Sequence, residues 1–337
     1  MKKTFYLFNP GELERKDNTL KFTPVSEDGA LAPASQARYL PVEDISEFYV
    51  FGSLRANSSL FNFLGQKDIC VHFFDYYENY TGSFMPRDGL LSGRMLLAQT
   101  EHYRSKSKRI IVARKFIEGA AANMLKNLAY YNRRGKDLEE LMLAIKKLSE
   151  NIPLTESVEE LMGIEGNIRQ AYYQAFNLII NDFEMGTRTK RPPQNEVNAL
   201  ISFGNMMCYT ICLRAISQTQ LNPTLSFLHT PGERRYSLCL DISEIFKPII
   251  VDRTIFKVLN KREIQANHFD NKIGRCLLNN AGKKIFVRAL EDRLTETIQH
   301  KSLGRKVSYK HLVKLECYKL AKHLLGMEEY KPFKMYW

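Results

Sequence analysis

Residues 1–86 alternate apolar and polar positions in the way that half-buried β-strands do. Clusters of Asn, Asp, Gly and Pro interrupt the alternation, as expected for turns. A short helical pattern begins after Asn57 and ends at Leu64. The Asn57 side chain can cap the N-terminus of this helix. The predicted strands are residues 4–8, a hairpin over 12–23 folded at 16–18, 42–50, 69–74 and 76–80, the last running into a turn at Thr81-Gly82. The pattern predicts a small β-rich domain.

Beyond Leu90 the apolar positions recur every three to four residues, which is the period of an amphipathic helix. Ser157 and Glu160 form a capping box before one of these runs, and Gly186 is expected to end it. The predicted helices are residues 91–103, 110–131, 138–149, 158–183 and 197–216, with further segments after Ile242. The basic segment from residue 301 is expected to be helical to Leu325 and a loose tail afterwards.

These two patterns together predict an α+β protein with two domains. Residues 1–86 form a small N-terminal β-rich domain, and residues 87–337 form a larger, mainly α-helical domain with a basic C-terminal tail, in which catalysis is expected if the candidate residues below are functional. The length agrees with this division, because a single hydrophobic core rarely grows beyond about 250–300 residues.

The charge balance indicates a class of partner. The 337 residues include 49 Lys and Arg against 37 Asp and Glu, which gives a formal net charge of +12, and the pI is about 9.3. An excess of this size favours a polyanionic partner. A content of 44% hydrophobic residues excludes a chain that is disordered over most of its length.

No membrane or export segment is expected. The longest stretch without charge, Val197–Leu213, is shorter than the ~20 residues that a membrane-spanning helix needs. Asn9-Pro10-Gly11 interrupts the first apolar patch before it reaches the length of a signal-peptide core. The six cysteines are scattered without a C-x-x-C spacing, so we interpret them as core residues. The sequence therefore predicts a cytoplasmic protein.

Glu165 is the first candidate for chemistry. It lies within a predicted helix, four residues after Leu161 and three before Ile168, both of which belong to the apolar stripe. A carboxylate taken out of water must be paired, protonated or bound to a metal. Glu165 is therefore either one half of a buried ion pair with an arginine or a functional group.

The second candidate set lies between residues 225 and 244. A short apolar run ends on His229, and a second apolar run ends on Asp241 and Glu244, whose spacing of three places both carboxylates on one helix face. A core histidine and a helix-capping pattern would explain each signal separately. Taken with Glu165, the same residues could converge on one divalent cation such as Mg²⁺ or Mn²⁺.

Basic residues surround these candidates. Six basic residues between Arg104 and Lys115 occur without an acid, and Lys190 and Arg253 flank the acidic motifs. Many such charges are ordinary solvated groups, but a cationic rim beside an acidic metal site suits phosphodiester chemistry. The residues expected to contact DNA phosphates are Arg188, Arg191, Arg234 and Arg235.

The order of five motifs along the chain resembles a known family. The motifs are Gly163-Ile164-Glu165-Gly166 leading to Tyr172-Tyr173, Arg191-Pro192-Pro193, Asn198–Gly204, Phe227-Leu228-His229, and Leu240–Glu244 with Lys247-Pro248. They resemble the CRISPR-associated adaptation integrase, the first of the universal Cas proteins. The resemblance covers nearly the whole chain, including the order of strands in the N-terminal domain.

The resemblance implies roles for individual residues. Glu165, His229 and Glu244 would bind a catalytic Mg²⁺ or Mn²⁺, and Asp241 would be a further acidic residue of the active site. The family often has Asp at the position of Glu244, and Glu also occurs there. His229 is expected to be a neutral metal ligand, because a nearby cation disfavours the protonated imidazole.

The resemblance also implies an activity and partners. The expected protein is a prokaryotic, metal-dependent DNA endonuclease and integrase that inserts short foreign DNA fragments into a CRISPR array by transesterification. Its expected partners are double-stranded and branched DNA, a second copy of the chain bound through the β-rich domain, and the small ferredoxin-like second adaptation protein.

Two other functions are weighed against this one. A non-enzymatic nucleic-acid-binding scaffold would use the charge alone and leave Glu165, Asp241 and Glu244 as structural residues. A helical His-Asp phosphohydrolase is disfavoured because no adjacent His-Asp pair occurs in the chain.

Overall fold

The computed structural model describes residues 2–26, 29–86, 90–190, 192–232, 236–272, 274–300 and 302–336. The chain divides into two compact units, Met1–Gly89 and Leu90–Trp337. The first unit is rich in strands and the second is mostly helical. The predicted fold class is therefore confirmed.

The β unit contains two four-stranded sheets. In the first sheet the order is β1-β5-β7-β8, with β1, β5 and β7 parallel and β8 antiparallel to β7. In the second the order is β4-β3-β2-β6, and β2 and β3 form the predicted hairpin. The strands are β1 Lys3–Leu7, β2 Gly11–Lys16, β3 Thr19–Pro24, β4 Arg38–Pro41, β5 Ile45–Val50, β6 Leu54–Arg55, β7 Cys70–Phe74 and β8 Tyr80–Phe84.

Helix α1, Ser58–Gln66, packs with both sheets around one hydrophobic core. Asn57 caps it as predicted, since its Oδ1 accepts a hydrogen bond from the Leu60 N–H at 2.9 Å. Core residues come from alternate positions of the strands, for example Phe48 and Val50 of β5. The other face of the first sheet carries a buried Glu47, whose carboxylate lies 3.5 Å from the His72 ring.

The helical unit contains nine α-helices and two small hairpins among its described residues. Most of its helices begin with a capping Ser or Asn, whose side-chain oxygen accepts a hydrogen bond from a backbone N–H of the first turn. The helices are α2 Gly93–Arg104, α3 Lys106–Asn132, α4 Glu139–Glu150, α5 Val158–Ile179, α6 Glu196–Ser217, α7 Ser237–Lys247, α8 Arg253–Asn260, α9 Asn280–Thr295 and α10 Tyr309–Leu324. The hairpins are β9 Phe269–Lys272 with β10 Arg275–Leu278, and β11 Thr297–Gln299 with β12 Lys306–Ser308.

Helix α6 is the central element of this unit. It packs against α7, α10, β10 and the π-helical turn Pro248–Asp252 that joins α7 to α8. By length and hydropathy alone α6 could cross a membrane, but 83% of its most apolar window is buried inside the unit. Burial of this kind is typical of a core helix, so α6 does not indicate a membrane protein.

The segment after α10 is docked, although a loose tail was expected there. Tyr330, Phe333 and Met335 are buried. Glu316 of α10 accepts hydrogen bonds from the Tyr330 hydroxyl at 2.6 Å and from the Phe333 N–H at 3.1 Å. Asn123 of α3 accepts from the Met335 N–H at 2.7 Å and donates to the Ile245 carbonyl of α7 at 2.8 Å. Buried amide and carboxylate partners fix this segment onto α3, α7 and α10.

Local predictions for α5 and for the turn near β8 differ from the structure. Helix α5 ends at Ile179 and not at residue 183, because the Asn177 side chain accepts from the Met185 N–H at 2.7 Å and the chain folds back. The turn predicted at Thr81-Gly82 is strand β8. The turn lies earlier, where Asp75 Oδ1 accepts from the Asn79 N–H at 2.8 Å.

Candidate functional site

Helices α5 and α7 and the loop before α7 line one cavity of about 710 Å³ in the helical unit. Glu165 of α5, Glu244 of α7 and His229 of the loop all line it, so the structure brings the three predicted ligands to one place. The glutamate side chains are 17% and 7% exposed, respectively. Both glutamates are therefore largely removed from bulk solvent.

A single guanidinium joins the two glutamates. Arg169 lies one helical turn after Glu165 and donates from Nε to Glu165 Oε1 at 2.6 Å. Its other nitrogen donates to Glu244 Oε2. Burial by itself lowers the pKa of Arg169, but Glu244, Tyr173 and Glu165 together raise it well above its ordinary value. Arg169 is thus a permanent positive charge between α5 and α7.

Glu244 is ionised in spite of its burial. Burial raises the pKa of a carboxyl, but the charges of Arg169, Lys247 and His229 outweigh this effect and lower the pKa of Glu244 to about 2. Lys247, one helical turn further along α7, donates to Glu244 Oε1 at 2.5 Å. Both oxygens of Glu244 therefore have a cationic partner.

Asp241 organises the loop that carries His229. It is fully buried, and its Oδ2 accepts from the N–H groups of Phe227 at 2.6 Å and Leu228 at 3.0 Å. Its Oδ1 accepts from the His229 N–H at 3.0 Å and lies 2.8 Å from His229 Nδ1. A proton on Nδ1 satisfies this contact and leaves Nε2 as the nitrogen that can bind a cation. Asp241 thus acts on the site through His229, and it is not among the residues that line the cavity.

Arg188 is the one predicted DNA contact within the described residues. It lines the same cavity, and it donates to Asn198 Oδ1 at 2.9 Å and to Ser202 Oγ at 3.2 Å. Burial lowers its pKa somewhat from the ordinary value. Arg191, Arg234 and Arg235 lie outside the described residues.

A further carboxyl lies behind the cavity. Asp252, at the end of the π-helical turn, is buried close to Tyr172. Burial raises its pKa more than Arg169 and Tyr172 lower it, so that the pKa of Asp252 is about 7. This group is therefore partly protonated near neutral pH.

The donor set suits a divalent cation in its chemistry. Two carboxylates and one imidazole are oxygen and nitrogen ligands of the kind that Mg²⁺ and Mn²⁺ accept. Both carboxylates already converge on one cationic group, the Arg169 guanidinium. Among the described residues, however, no three His, Cys, Asp or Glu side chains lie close enough to share one ion. The ligand types fit such an ion, and the Arg169 guanidinium occupies the space between the two carboxylates.

Sequence reasoning missed three charged residues of this site: Arg169, Lys247 and Asp252. The first two follow a predicted glutamate by four and three residues, so helical spacing could have indicated them. The open alternative for Glu165, an ion pair with an arginine, is present as the Arg169 contact. Asp252 gives no local signal, because its burial depends on the packing of elements distant in the sequence, such as α3 and α6, against the π-helical turn.

The chain matches the family described as CRISPR associated protein Cas1 over residues 5–292. A curated relative, CRISPR-associated endonuclease Cas1 2 of Thermodesulfovibrio yellowstonii, is 48% identical over 339 residues that span all of both chains. A solved CAS1 protein from Thermotoga maritima is 39% identical, with a TM-score of 0.84 over 97% of this chain and 99% of the other.

More distant solved structures share the fold. A casposase bound to an integration product has a TM-score of 0.86 at 20% identity, over 99% of this chain and 93% of that one. A Cas6-RT-Cas1–Cas2 complex contains a chain with a TM-score of 0.81 at 16% identity. That match covers 100% of this chain and 36% of the other.

The fold and the site together define a two-unit protein whose helical unit holds an acidic and imidazole-lined cavity among basic side chains. The chain belongs to the Cas1 family. The resemblance drawn from the five sequence motifs is thereby confirmed.

The raised pKa of Asp252 predicts a pH-dependent stability. An unfolded Asp loses its proton near pH 3.9, whereas the folded Asp252 keeps it to about pH 7. The unfolded state therefore binds fewer protons in this range, and the native state loses stability as pH rises from about 4 to 7. Asp252→Asn removes this loss, so we expect the variant to melt at a higher temperature than the parent at pH 8 and at nearly the same temperature at pH 4.5.

Thermal unfolding followed by circular dichroism at the two pH values measures the difference. Asp182→Asn is the matched control, because Asp182 lies on the surface and pairs with Arg262. A loss of stability for Asp252→Asn that is larger at pH 8 than at pH 4.5 would contradict the assignment, since it would mean that the ionised carboxylate stabilises the fold.

Proposed function

We propose that this chain is a metal-dependent DNA endonuclease and integrase that inserts short DNA fragments into a CRISPR array. The observation that carries the proposal is the convergence of Glu165, His229 and Glu244 on one cavity lined by basic side chains, in a member of the Cas1 family. Several curated relatives carry the name endonuclease, and a casposase bound to an integration product shares the fold.

Glu165, His229 and Glu244 would hold the Mg²⁺ or Mn²⁺ ion. A divalent cation bound there supplies positive charge that polarises a phosphoryl oxygen and stabilises the leaving oxygen. The glutamates come from two different helices and His229 from a loop, so helix packing and the Asp241 hydrogen bonds fix their relative positions. The helices and the loop that carry these side chains are therefore in place before DNA arrives.

The basic side chains of the cavity would bind the DNA backbone. Arg188 is held by Asn198 and Ser202 and still lines the cavity, where its guanidinium can pair with a phosphate. Lys247 and Lys190 line the same cavity. These contacts carry no base information, so they position any DNA sequence alike.

The proposed reaction exchanges one phosphodiester for another. The 3′-hydroxyl of the fragment attacks a phosphate of the array, a new P–O bond forms, and the bond to the leaving 3′-oxygen breaks. The attacking hydroxyl loses a proton and the leaving oxygen gains one, so bonds and charge balance without a nucleotide as energy source. The P-loop signature G-x-x-x-x-G-K-[ST] is absent from the sequence, in agreement with this reaction.

One observation favours the scaffold alternative. Glu165 and Glu244 are both paired with Arg169, as purely structural carboxylates would be. The two functions differ in their response to metal. A specific site for Mn²⁺ stabilises the folded state by mass action, so Mn²⁺ should raise the melting temperature of the enzyme and leave that of a scaffold unchanged.

Removal of a proposed ligand is expected to abolish strand transfer. Glu165→Gln and His229→Ala should each lower the transfer rate by several orders of magnitude, because the lost charge stabilisation acts mainly in the transition state. Joining of labelled DNA ends in Mn²⁺ measures the rate. Glu159→Gln, an exposed residue of the same helix, is the matched control and should retain the parental rate. A folded His229→Ala protein that joins ends as fast as the parent would refute the assignment.

Arg188 is expected to contact a phosphate. Arg188→Met should weaken DNA binding about equally on unrelated sequences and reduce the slope of log affinity against log salt by about one unit. Fluorescence anisotropy over a range of NaCl concentrations measures both quantities. Arg262→Met is the control, since Arg262 pairs with Asp182 on the surface. A slope unchanged from that of the parent would exclude Arg188 from the DNA path.

The assembly we propose is a homodimer formed through the β unit, together with the small ferredoxin-like second adaptation protein. The solved Cas6-RT-Cas1–Cas2 complex supports a partner of this kind. Tyr39, Tyr76 and Tyr77 of the β unit are each at least half exposed, which leaves aromatic surface for a second copy. A cytoplasmic location in a prokaryote follows from the same proposal.

Light scattering tests the dimer. We expect the full chain to have the mass of a dimer, because two joints on opposite strands need two active sites. A chain that begins at Leu90 lacks the proposed interface and is expected to be a monomer. A full chain that remains monomeric, or a shortened chain that dimerises as tightly, would exclude the β unit as the interface.

A further inference from the structure

The cavity is lined by more positively charged than negatively charged side chains. Arg169, Lys247 and Arg188 line it with Glu165 and Glu244. Arg169 and Lys247 already occupy both oxygens of Glu244, and Arg169 also occupies Oε1 of Glu165. A divalent cation that enters this arrangement meets two neighbouring positive charges and carboxylates that are already paired.

We propose that Arg169 keeps divalent cations out of the site until a DNA phosphate draws its guanidinium away from Glu165 and Glu244. Arg169 is then a positioning residue that couples phosphate binding to cation binding. This inference rests on the proposed function, because it takes the two glutamates as cation ligands.

The chemistry of the guanidinium supports such an exchange. Arginine pairs with carboxylate and phosphate through the same planar donor fork, so a phosphate can replace the carboxylates as its partner. The Arg169 side chain is 17% exposed and lines the cavity, which places it within reach of a bound backbone. Release of Arg169 frees Glu165 Oε1 and Glu244 Oε2 for the cation.

Coupling of this kind is reciprocal. If a phosphate raises the affinity for Mn²⁺, then Mn²⁺ raises the affinity for the phosphate by the same factor. A chain without DNA would bind the cation weakly and would not hold a charged catalytic centre. The free protein would therefore be protected from unproductive hydrolysis.

The first test uses the unmodified chain. Electron paramagnetic resonance of free Mn²⁺ gives the Kd of the protein for Mn²⁺ with and without a short duplex that lacks 3′-hydroxyls, so that no transfer takes place. We expect the duplex to tighten Mn²⁺ binding by about ten-fold or more, within the range of about 5- to 150-fold typical of coupled sites. Equal affinity with and without the duplex would overturn the proposal.

The second test removes the guanidinium. Arg169→Met should bind Mn²⁺ about ten-fold more tightly than the parent without DNA, and the further gain from the duplex should shrink. Arg188→Met is the matched control, because it removes a charge from the same cavity without a hydrogen bond to either glutamate. A gain as large for Arg188→Met as for Arg169→Met would indicate general electrostatics and overturn the proposal.

Arg169→Lys keeps the test valid if the methionine variant fails to fold. A lysine ammonium lacks the planar donor fork with which the guanidinium reaches both glutamates. We therefore expect Arg169→Lys to bind Mn²⁺ more tightly than the parent without DNA, but by a smaller factor than Arg169→Met. An affinity without DNA equal to that of the parent in each Arg169 variant that folds would refute the inference.

Glu165→Gln separates this inference from the proposed function. If Glu165→Gln abolishes Mn²⁺ binding but the duplex has no effect on the parent, the metal site stands and the coupling is wrong. If the parent binds no Mn²⁺ with or without the duplex, both are wrong.

Discussion

Charge removed from water must be neutralised, and the cavity lined by α5 and α7 is arranged around this constraint. The carboxyl groups near these helices are neutralised in three ways. Glu165 and Glu244 share the guanidinium of Arg169, Asp241 accepts hydrogen bonds from one loop, and Asp252 holds its proton to about pH 7. The loop that carries His229 and the link between α5 and α7 through Arg169 thus depend on how a few acidic groups are satisfied.

The local pattern of the sequence was sufficient for most elements. The 3.6-residue period located α2 to α6, and Asn57 and Ser157 cap the helices that they were expected to cap. The pattern failed where distant contacts decide. Asn177 folds the chain back after α5, and hydrogen bonds from Asn123 and Glu316 order the segment after α10. The short hairpins of the helical unit are paired too briefly to give a period.

The candidate site was predictable for its acidic and imidazole residues and not for their counter-charges. Glu165, His229 and Glu244 stand out because polar residues interrupt apolar runs, and the structure places them around one cavity. Whether a basic side chain pairs with them depends on its rotamer and on the distance between helices. The spacing of residues along the sequence gives neither. Arg169 shows the difference, since its partner Glu244 lies 75 positions away along the chain.

The burial of α6 has a consequence for how the chain folds in the cell. This helix has the length and hydropathy of a membrane span, and α7 and α10, which cover it, both follow it in the sequence. A nascent chain therefore presents an apolar segment before its covering helices exist, and such exposed segments aggregate or bind chaperones. Substitutions that weaken the α6–α10 packing would reduce the yield of folded protein even where the cavity between α5 and α7 is untouched.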